Sequence, residues 1–254
     1  MTWNSSQVLF RQEGGAMRYK IADCITEYEP HYEMLRQKME PYRFEGEGET
    51  EISLQLTKSF CEEKQKEQSH LTEAQCEYIF AGSEFYRKFI RKGGMMLHAS
   101  AVEVDGKAYL FSADSGTGKL THTKQWQKYF GEDRALIIND DKPAIRKEKS
   151  GWTAYGTPFS GKTDENLNRK AVLQGICMLE RGEQNTIERI GVWEAIPLLM
   201  RQTIVPRNEE LAGELLEILD QLLSEVPIYR LKCNISEEAV LTAYEMMRGE
   251  ANED

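Results

Sequence analysis

Four groups of residues in this chain have types and spacings that could manage an anion and a hydroxyl. The first is Ala113-Asp114-Ser115-Gly116-Thr117-Gly118-Lys119-Leu120. Two glycines one residue apart let backbone N–H groups curl around an anion with no Cβ in the way. Lys119, directly after them, sets an ammonium against it. The usual phosphate-loop pattern is Gly, four residues, then Gly-Lys and a Ser or Thr whose hydroxyl ligates Mg²⁺. Ala113 stands at the first Gly, a mild change where the local φ suits alanine. Leu120 stands at the hydroxyl position and cannot ligate a metal. Thr121 is one residue off register, about 100° around a helix, and is a poor substitute. The motif therefore reads as a nucleotide site with altered metal handling.

The second group is Asp140-Asp141, at the end of the apolar run 135–139. One carboxylate there can hold Mg²⁺ and the other can accept a hydroxyl proton; a solvated turn or helix cap is the plainer reading. The third is His98, which taken alone is more often a core or hydrogen-bonded histidine. The fourth is Thr157-Pro158-Phe159-Ser160-Gly161-Lys162, a second Gly-Lys loop in which Lys162 is either a phosphate ligand or a surface charge.

These groups need elements to position them. Residues 95–104 are predicted as a strand, Asp105-Gly106 as a two-residue hairpin turn, and 107–112 as the return strand that feeds the loop. A helix over 121–129 follows, with His122 and Trp126 read as packed or exposed rather than as nucleotide contacts. Strands are predicted at 135–139, 152–156, 170–180 and 228–231. Helices are predicted at 190–200, 213–224 and 236–249, the last with Ser236 as N-cap. Upstream, 17–25 and 51–57 read as strands and 29–39 as a helix. Residues 58–70 read as a loop or solvated helix, and 72–91 as a helix ending near Gly93-Gly94. Residues 1–16 look like an upstream extension or expression remnant, with Met17 as the natural start, or else hold a native strand at 7–10. The division expected is thus 1–16, an N-terminal α/β part over 17–94, and a nucleotide-binding core over 95–250.

Composition narrows the partners. The chain has 254 residues, 40% of them hydrophobic, and a net charge of -10. That balance argues against a general nucleic-acid surface and makes any nucleotide site a local positive spot. No apolar run approaches the roughly 18 residues of a membrane helix, and the N-terminus has no signal-peptide profile. Five scattered cysteines without CxxC spacing suggest neither zinc nor a disulfide framework, so a cytoplasmic setting is expected.

The order of motifs resembles the HPr kinase/phosphorylase family, which shares a core with ATP-dependent PEP carboxykinase. Leu97-His98, Val104-Asp105-Gly106, the 113–119 loop, Asn139-Asp140-Asp141 and Gly156 with the 157–162 loop carry the likeness. It is strongest over about 95–165. It implies an α/β fold, a mixed β-sheet P-loop core of the HPr kinase/PEP carboxykinase type with an N-terminal α+β extension. It implies ATP and Mg²⁺ as cofactors and a Ser/Thr hydroxyl of a protein or peptide as acceptor. The 113–119 loop would bind the β-phosphate, with Lys119 as clamp. Asp140 would be the base, Asp141 would lie on the metal side, and His98 would line the site. The 157–162 loop is similar to that of small HPr-kinase-like proteins, including kinases of ribosomally made peptides. The leading expectation is a kinase impaired by Leu120. The alternative is a degenerate nucleotide- or peptide-binding module, which Leu120 favours and the intact Lys119 and Asp140-Asp141 oppose. A small-molecule kinase is a third reading, and a homo-oligomer is left open.

Overall fold

The computed structural model describes residues 17–249; the readings of 1–16 lie outside them. β1 (Arg18–Ile21) and β2 (Cys24–Glu27) form a hairpin. The single strand expected over 17–25 is broken because Ala22 and Asp23 both take positive φ, 49° and 59°, and make a two-residue turn. α1 (Glu33–Met39) follows, and β3 (Ile52–Ser53) adds parallel to β2. The polar stretch after Thr57 is helical, α2 (Lys58–Glu67), with the Thr57 hydroxyl capping Phe60 N–H. α3 (Glu73–Ile90) starts in a full capping box between Thr72 and Gln75. Its buried Glu77 accepts from the Tyr28 hydroxyl at 2.8 Å and from the backbone N–H groups of His31 and Tyr32 at 2.6 and 3.1 Å. This carboxylate ties the helix to the turn before α1.

The core consists of β4 (Gly94–Met96), β5 (Ala99–Val104), β6 (Lys107–Ser112), α4 (Lys119–Phe130), β7 (Ala135–Asn139), β8 (Ala144–Glu148), β9 (Gly151–Tyr155), β10 (Lys170–Arg181), β11 (Thr186–Arg189), α5 (Val192–Arg201), α6 (Glu209–Glu225), β12 (Ile228–Cys233) and α7 (Glu237–Met247). The strands build one mixed nine-stranded sheet in the order β4-β8-β9-β10-β6-β5-β7, with β12 and β11 branching from β10. β10 joins them: it runs parallel to β6, its first residues pair antiparallel with β9, and its second half pairs parallel with β12. β6 shows why both faces are covered. Leu110 enters one buried cluster, under α5 and α6, while Tyr109 and Phe111 enter another, under α4 and α7. Successive side chains of a strand point to opposite faces, so a sheet with two covered faces reads as a continuous apolar run.

Two corrections bear on the site. The strand expected over 95–104 is two strands with different neighbours, β4 on β8 and β5 on β6, and the break between them is Leu97-His98. The helix expected from 121 starts at Lys119. β8 and β11 were not anticipated. Among the described residues no helix is long and apolar enough to cross a membrane.

Candidate functional site

The 113–118 loop leaves β6 at Ser112 and enters α4 at Lys119. Gly116 and Gly118 have φ of 80° and 119°, which a side chain would resist. The loop presents a helix N-terminus, where free N–H groups and the helix dipole favour an anion. Lys119 is buried. Its ammonium donates to Ala113 O at 3.0 Å and lies 3.1 Å from His98 Nε2. Burial lowers its pKa below the ordinary lysine value, and the charges of Asp141 and Asp114 only partly oppose this.

Asn139 shapes the acidic corner. Its Oδ1 accepts from the N–H of Asp141 at 2.9 Å and of Lys142 at 2.6 Å, and its Nδ2 donates to Thr157 O at 3.1 Å. This side-chain turn directs the two aspartates differently. Asp140 faces the second Gly-Lys loop: Oδ1 accepts from Gly161 N–H and Oδ2 from the Thr163 hydroxyl. Asp141 faces His98, whose Nε2 lies 3.0 Å from Oδ1, while Oδ2 accepts from the Lys142 ammonium. Burial alone would raise the Asp141 pKa, but the His98 contact and the Lys142 charge outweigh it and hold the carboxyl down to about 2.

Gln202, the residue that ends α5, joins these parts. Its Nε2 donates to Asp114 Oδ1 at 2.9 Å, and its Oε1 lies 2.9 Å from His98 Nδ1. Its backbone carbonyl also accepts from His98 N–H at 2.7 Å. The break between β4 and β5 is therefore the point at which His98 is anchored.

The N-terminal part braces the second Gly-Lys loop and the residue after the aspartate pair. The Tyr78 hydroxyl donates to Ser160 O and that of Tyr86 to Lys142 O. Tyr86 also lies 2.9 Å from the Thr157 hydroxyl. Phe159 packs where α3 has Gly82; a Cβ there would lie 3.0 Å from its ring. The helix face of α3 thus sets the position of the 157–162 loop.

His98, Ser115, Gly116, Gly118, Lys119, Leu120, Thr121, Asp140, Asp141 and Lys162 all line one cavity of about 340 Å³, together with Gly161 and Thr163. Ala113 lies buried beneath the loop, and Asp114 and Thr117 face its other side. A second cavity, about 580 Å³, opens beyond Gly116–Gly118, with Leu179, Arg181, Cys233 and Ile235 in its wall. Arg181 Nε donates to Thr117 O at 3.1 Å. His122 also lines this cavity but is committed to the core: its Nε2 accepts from Trp126 Nε1 at 3.1 Å, and burial pushes its pKa down to about 4. Gln202, Arg181, Lys142 and Thr163 were not singled out from sequence. Only Thr163, next to the second Gly-Lys, carried a local signal.

The donor set accommodates a phosphate better than a metal ion. The glycine cradle, the helix N-terminus and Lys119 supply N–H groups and positive charge. Leu120 puts carbon where a metal ligand is usual, and three of the four oxygens of Asp140 and Asp141 already accept from protein donors, the fourth lying 3.0 Å from His98 Nε2. Among the described residues no group of three His, Cys, Asp or Glu side chains is placed to hold a metal ion.

No curated protein matches the chain. Among solved structures, the Hpr(Ser) kinase/phosphatase from Coxiella burnetii is similar at 9% identity and a TM-score of 0.34, over 59% of this chain and 95% of that one. The family model of the SynChlorMet cassette protein ScmC matches residues 60–239, a stretch that contains His98, both Gly-Lys loops and the Asp140-Asp141 corner. With more than half of its length so matched, the chain belongs to the ScmC family.

Proposed function

We propose that the chain binds a nucleoside triphosphate at the 113–120 loop and transfers its terminal phosphate to a Ser or Thr hydroxyl of a protein or peptide. The observation that carries this reading is the convergence of Lys119, His98, Asp140 and Asp141 on one cavity at the N-terminus of α4. Phosphoryl transfer is largely positioning and charge stabilisation, and it asks for an anion cradle, positive charge and a residue that orients the attacking hydroxyl. Lys119 and the loop N–H groups hold the phosphates. Asp140 is the base. It already accepts a hydroxyl hydrogen bond on the cavity side, as a base must. Lys162, on the cavity wall, adds positive charge. The nucleoside extends toward the cavity lined by Leu179 and Arg181.

Asp141 is the carboxylate that a Mg²⁺ ion carried in on the nucleotide would meet. The ion would have to displace Lys142 from it, and Leu120 offers no oxygen in return. Transfer is therefore slow. The same observation supports the second reading, a module that holds nucleotide or peptide without turnover.

Calorimetric titration with ATP, with and without Mg²⁺, tests the reading beside transfer to Ser/Thr peptides. Lys119→Ala should weaken ATP binding by roughly 10- to 150-fold, the loss of a charge-assisted contact of about 1.5–3 kcal/mol. Equal affinity in the two proteins overturns it. Lys119-sensitive binding with no transfer to any peptide favours the module.

A further inference from the structure

The hydroxyl that Asp140 holds belongs to the chain itself. Thr163 Oγ1 donates to Asp140 Oδ2, and Gly161 N–H, two residues earlier, donates to Oδ1. Asp140 is 6% exposed, whereas Thr163 is an exposed residue on a turn. The packing therefore does not demand a threonine here. The turn is held from outside, because Asp164 takes φ of 56° and accepts from both the Lys38 ammonium and the Ser160 hydroxyl. Thr163 lines the same cavity as Gly118 and Lys119. An oriented hydroxyl, a carboxylate in contact with it and a phosphate cradle across the cavity are the parts that an acceptor position needs.

We propose that Thr163 is a built-in acceptor, phosphorylated in cis by the nucleoside triphosphate in the 113–120 loop; this rests on the function proposed above. Asp140 Oδ2 takes the proton of Thr163 Oγ1 as that oxygen forms a bond to the γ-phosphorus. The bond from the γ-phosphorus to the β,γ-bridging oxygen breaks, and its electron pair leaves with the nucleoside diphosphate. The proton then passes from Asp140 to solvent. The product is phosphothreonine with two neighbouring carboxylates, Asp140 and Asp164. A phosphate carrying close to two negative charges repels both, so the modified loop moves off Asp140 and opens the cavity to a hydroxyl from outside.

The test uses the full chain incubated with ATP, followed by peptide mapping by mass spectrometry at several protein concentrations, with ATP affinity measured in parallel. Phosphate is expected on Thr163 with a rate constant independent of protein concentration. Thr163→Ser should keep the modification. Thr163→Val should abolish it, and Thr163→Ser, which keeps the hydroxyl on Asp140, tells loss of the acceptor from loss of the cavity wall. A matching thermal melt shows that the valine variant is folded. Lys119-sensitive ATP binding without phosphate on Thr163 overturns the inference and leaves the proposed function standing. A rate that rises with protein concentration also overturns it, because the transfer is then between molecules. Loss of Lys119-sensitive binding removes the proposed function, and this inference with it.

Discussion

Gln202 fixes the proton arrangement of His98. Its amide nitrogen is committed to the Asp114 carboxylate, 2.9 Å away, so its oxygen must be the atom facing His98 Nδ1 at 2.9 Å. Nδ1 therefore carries a hydrogen. Nε2 sits between two partners of opposite kind, the Lys119 ammonium at 3.1 Å and the Asp141 carboxylate at 3.0 Å. A neutral ring accepts from the lysine; a doubly protonated ring donates to the aspartate. The ring reports on the charge at both.

Gln202→Ala should release this arrangement. Asp114 loses its donor and Nδ1 its acceptor, so the ring becomes free to carry its proton on either nitrogen. Nitrogen-15 NMR should show the His98 Nδ1 resonance shifting as its hydrogen bond to Gln202 is lost. ATP affinity should fall about five-fold, the equivalent of one hydrogen bond of about 1 kcal/mol. Unchanged ring shifts would refute the assignment.

Leu120→Ser and Lys142→Met restore two parts of a metal site by different routes. The first supplies an oxygen and the second frees Asp141 Oδ2. Each should raise ATP affinity in Mg²⁺ relative to ATP alone by several-fold, since Mg²⁺ needs one or two protein oxygens and fills the rest with water and phosphate. The double variant should exceed both. If the ratio stays at the wild-type value in all three, the corner does not govern metal handling.

Acid should destabilise the fold in two separate windows. His122 titrates at about 4 in the folded chain, against an ordinary 6.5. The unfolded chain therefore takes up that proton first. The stability is fully present above pH 6.5, is lost as pH falls toward 4, and levels off below. The shift corresponds to on the order of 3 kcal/mol. Asp141 acts in the lower window: its folded value of about 2 lies below the ordinary 3.8, so its contribution is present above 3.8 and lost as pH falls through 2. Urea midpoints measured from pH 7 to 4 should fall for the wild type. They should fall less for His122→Gln, which keeps an acceptor for Trp126. Parallel curves would count against a neutral buried His122.

Tyr86→Phe removes a hydroxyl that serves both Lys142 O and Thr157. Both are buried or half-buried, so the loss should cost about 1–3 kcal/mol in urea unfolding. Nucleotide affinity should change little, because the 113–120 loop does not touch Tyr86. A large drop in affinity with stability unchanged would reverse the roles given to α3 and the loop.

What could be read from the sequence depended on how local the cause was. Asp105-Gly106 closes its hairpin through its own backbone preference, and Thr72 starts α3 through a residue three places on. The 113–120 motif and the Asp140-Asp141 corner were legible because each is short and chemically distinctive. The break at Leu97-His98 was not, because no turn residue marks it and its backbone partners, Pro143, Asp141 and Gln202, lie far along the chain. Likewise Gln202 meets Asp114 across 88 residues, and Arg181 meets Thr117 across 64. β8 was hidden by its charges: Arg146 pairs with Glu148 and lies over the rings of Phe89 and Tyr155, a packing that the charged residues do not announce.

The anchoring of His98 by α5 also fixes an order of events on the ribosome. A chain made from its N-terminus completes α3, the glycine cradle and the aspartate corner while Gln202 is still to be synthesised. Until α5 docks, the ring has neither its backbone nor its side-chain tether, and Asp114 has no amide to face. A nascent chain arrested shortly before residue 202 would hold every motif on which the proposed chemistry depends and still lack a set imidazole. The imidazole of His98 is therefore set only once α5 has been made and has docked, however early the motifs around it emerge.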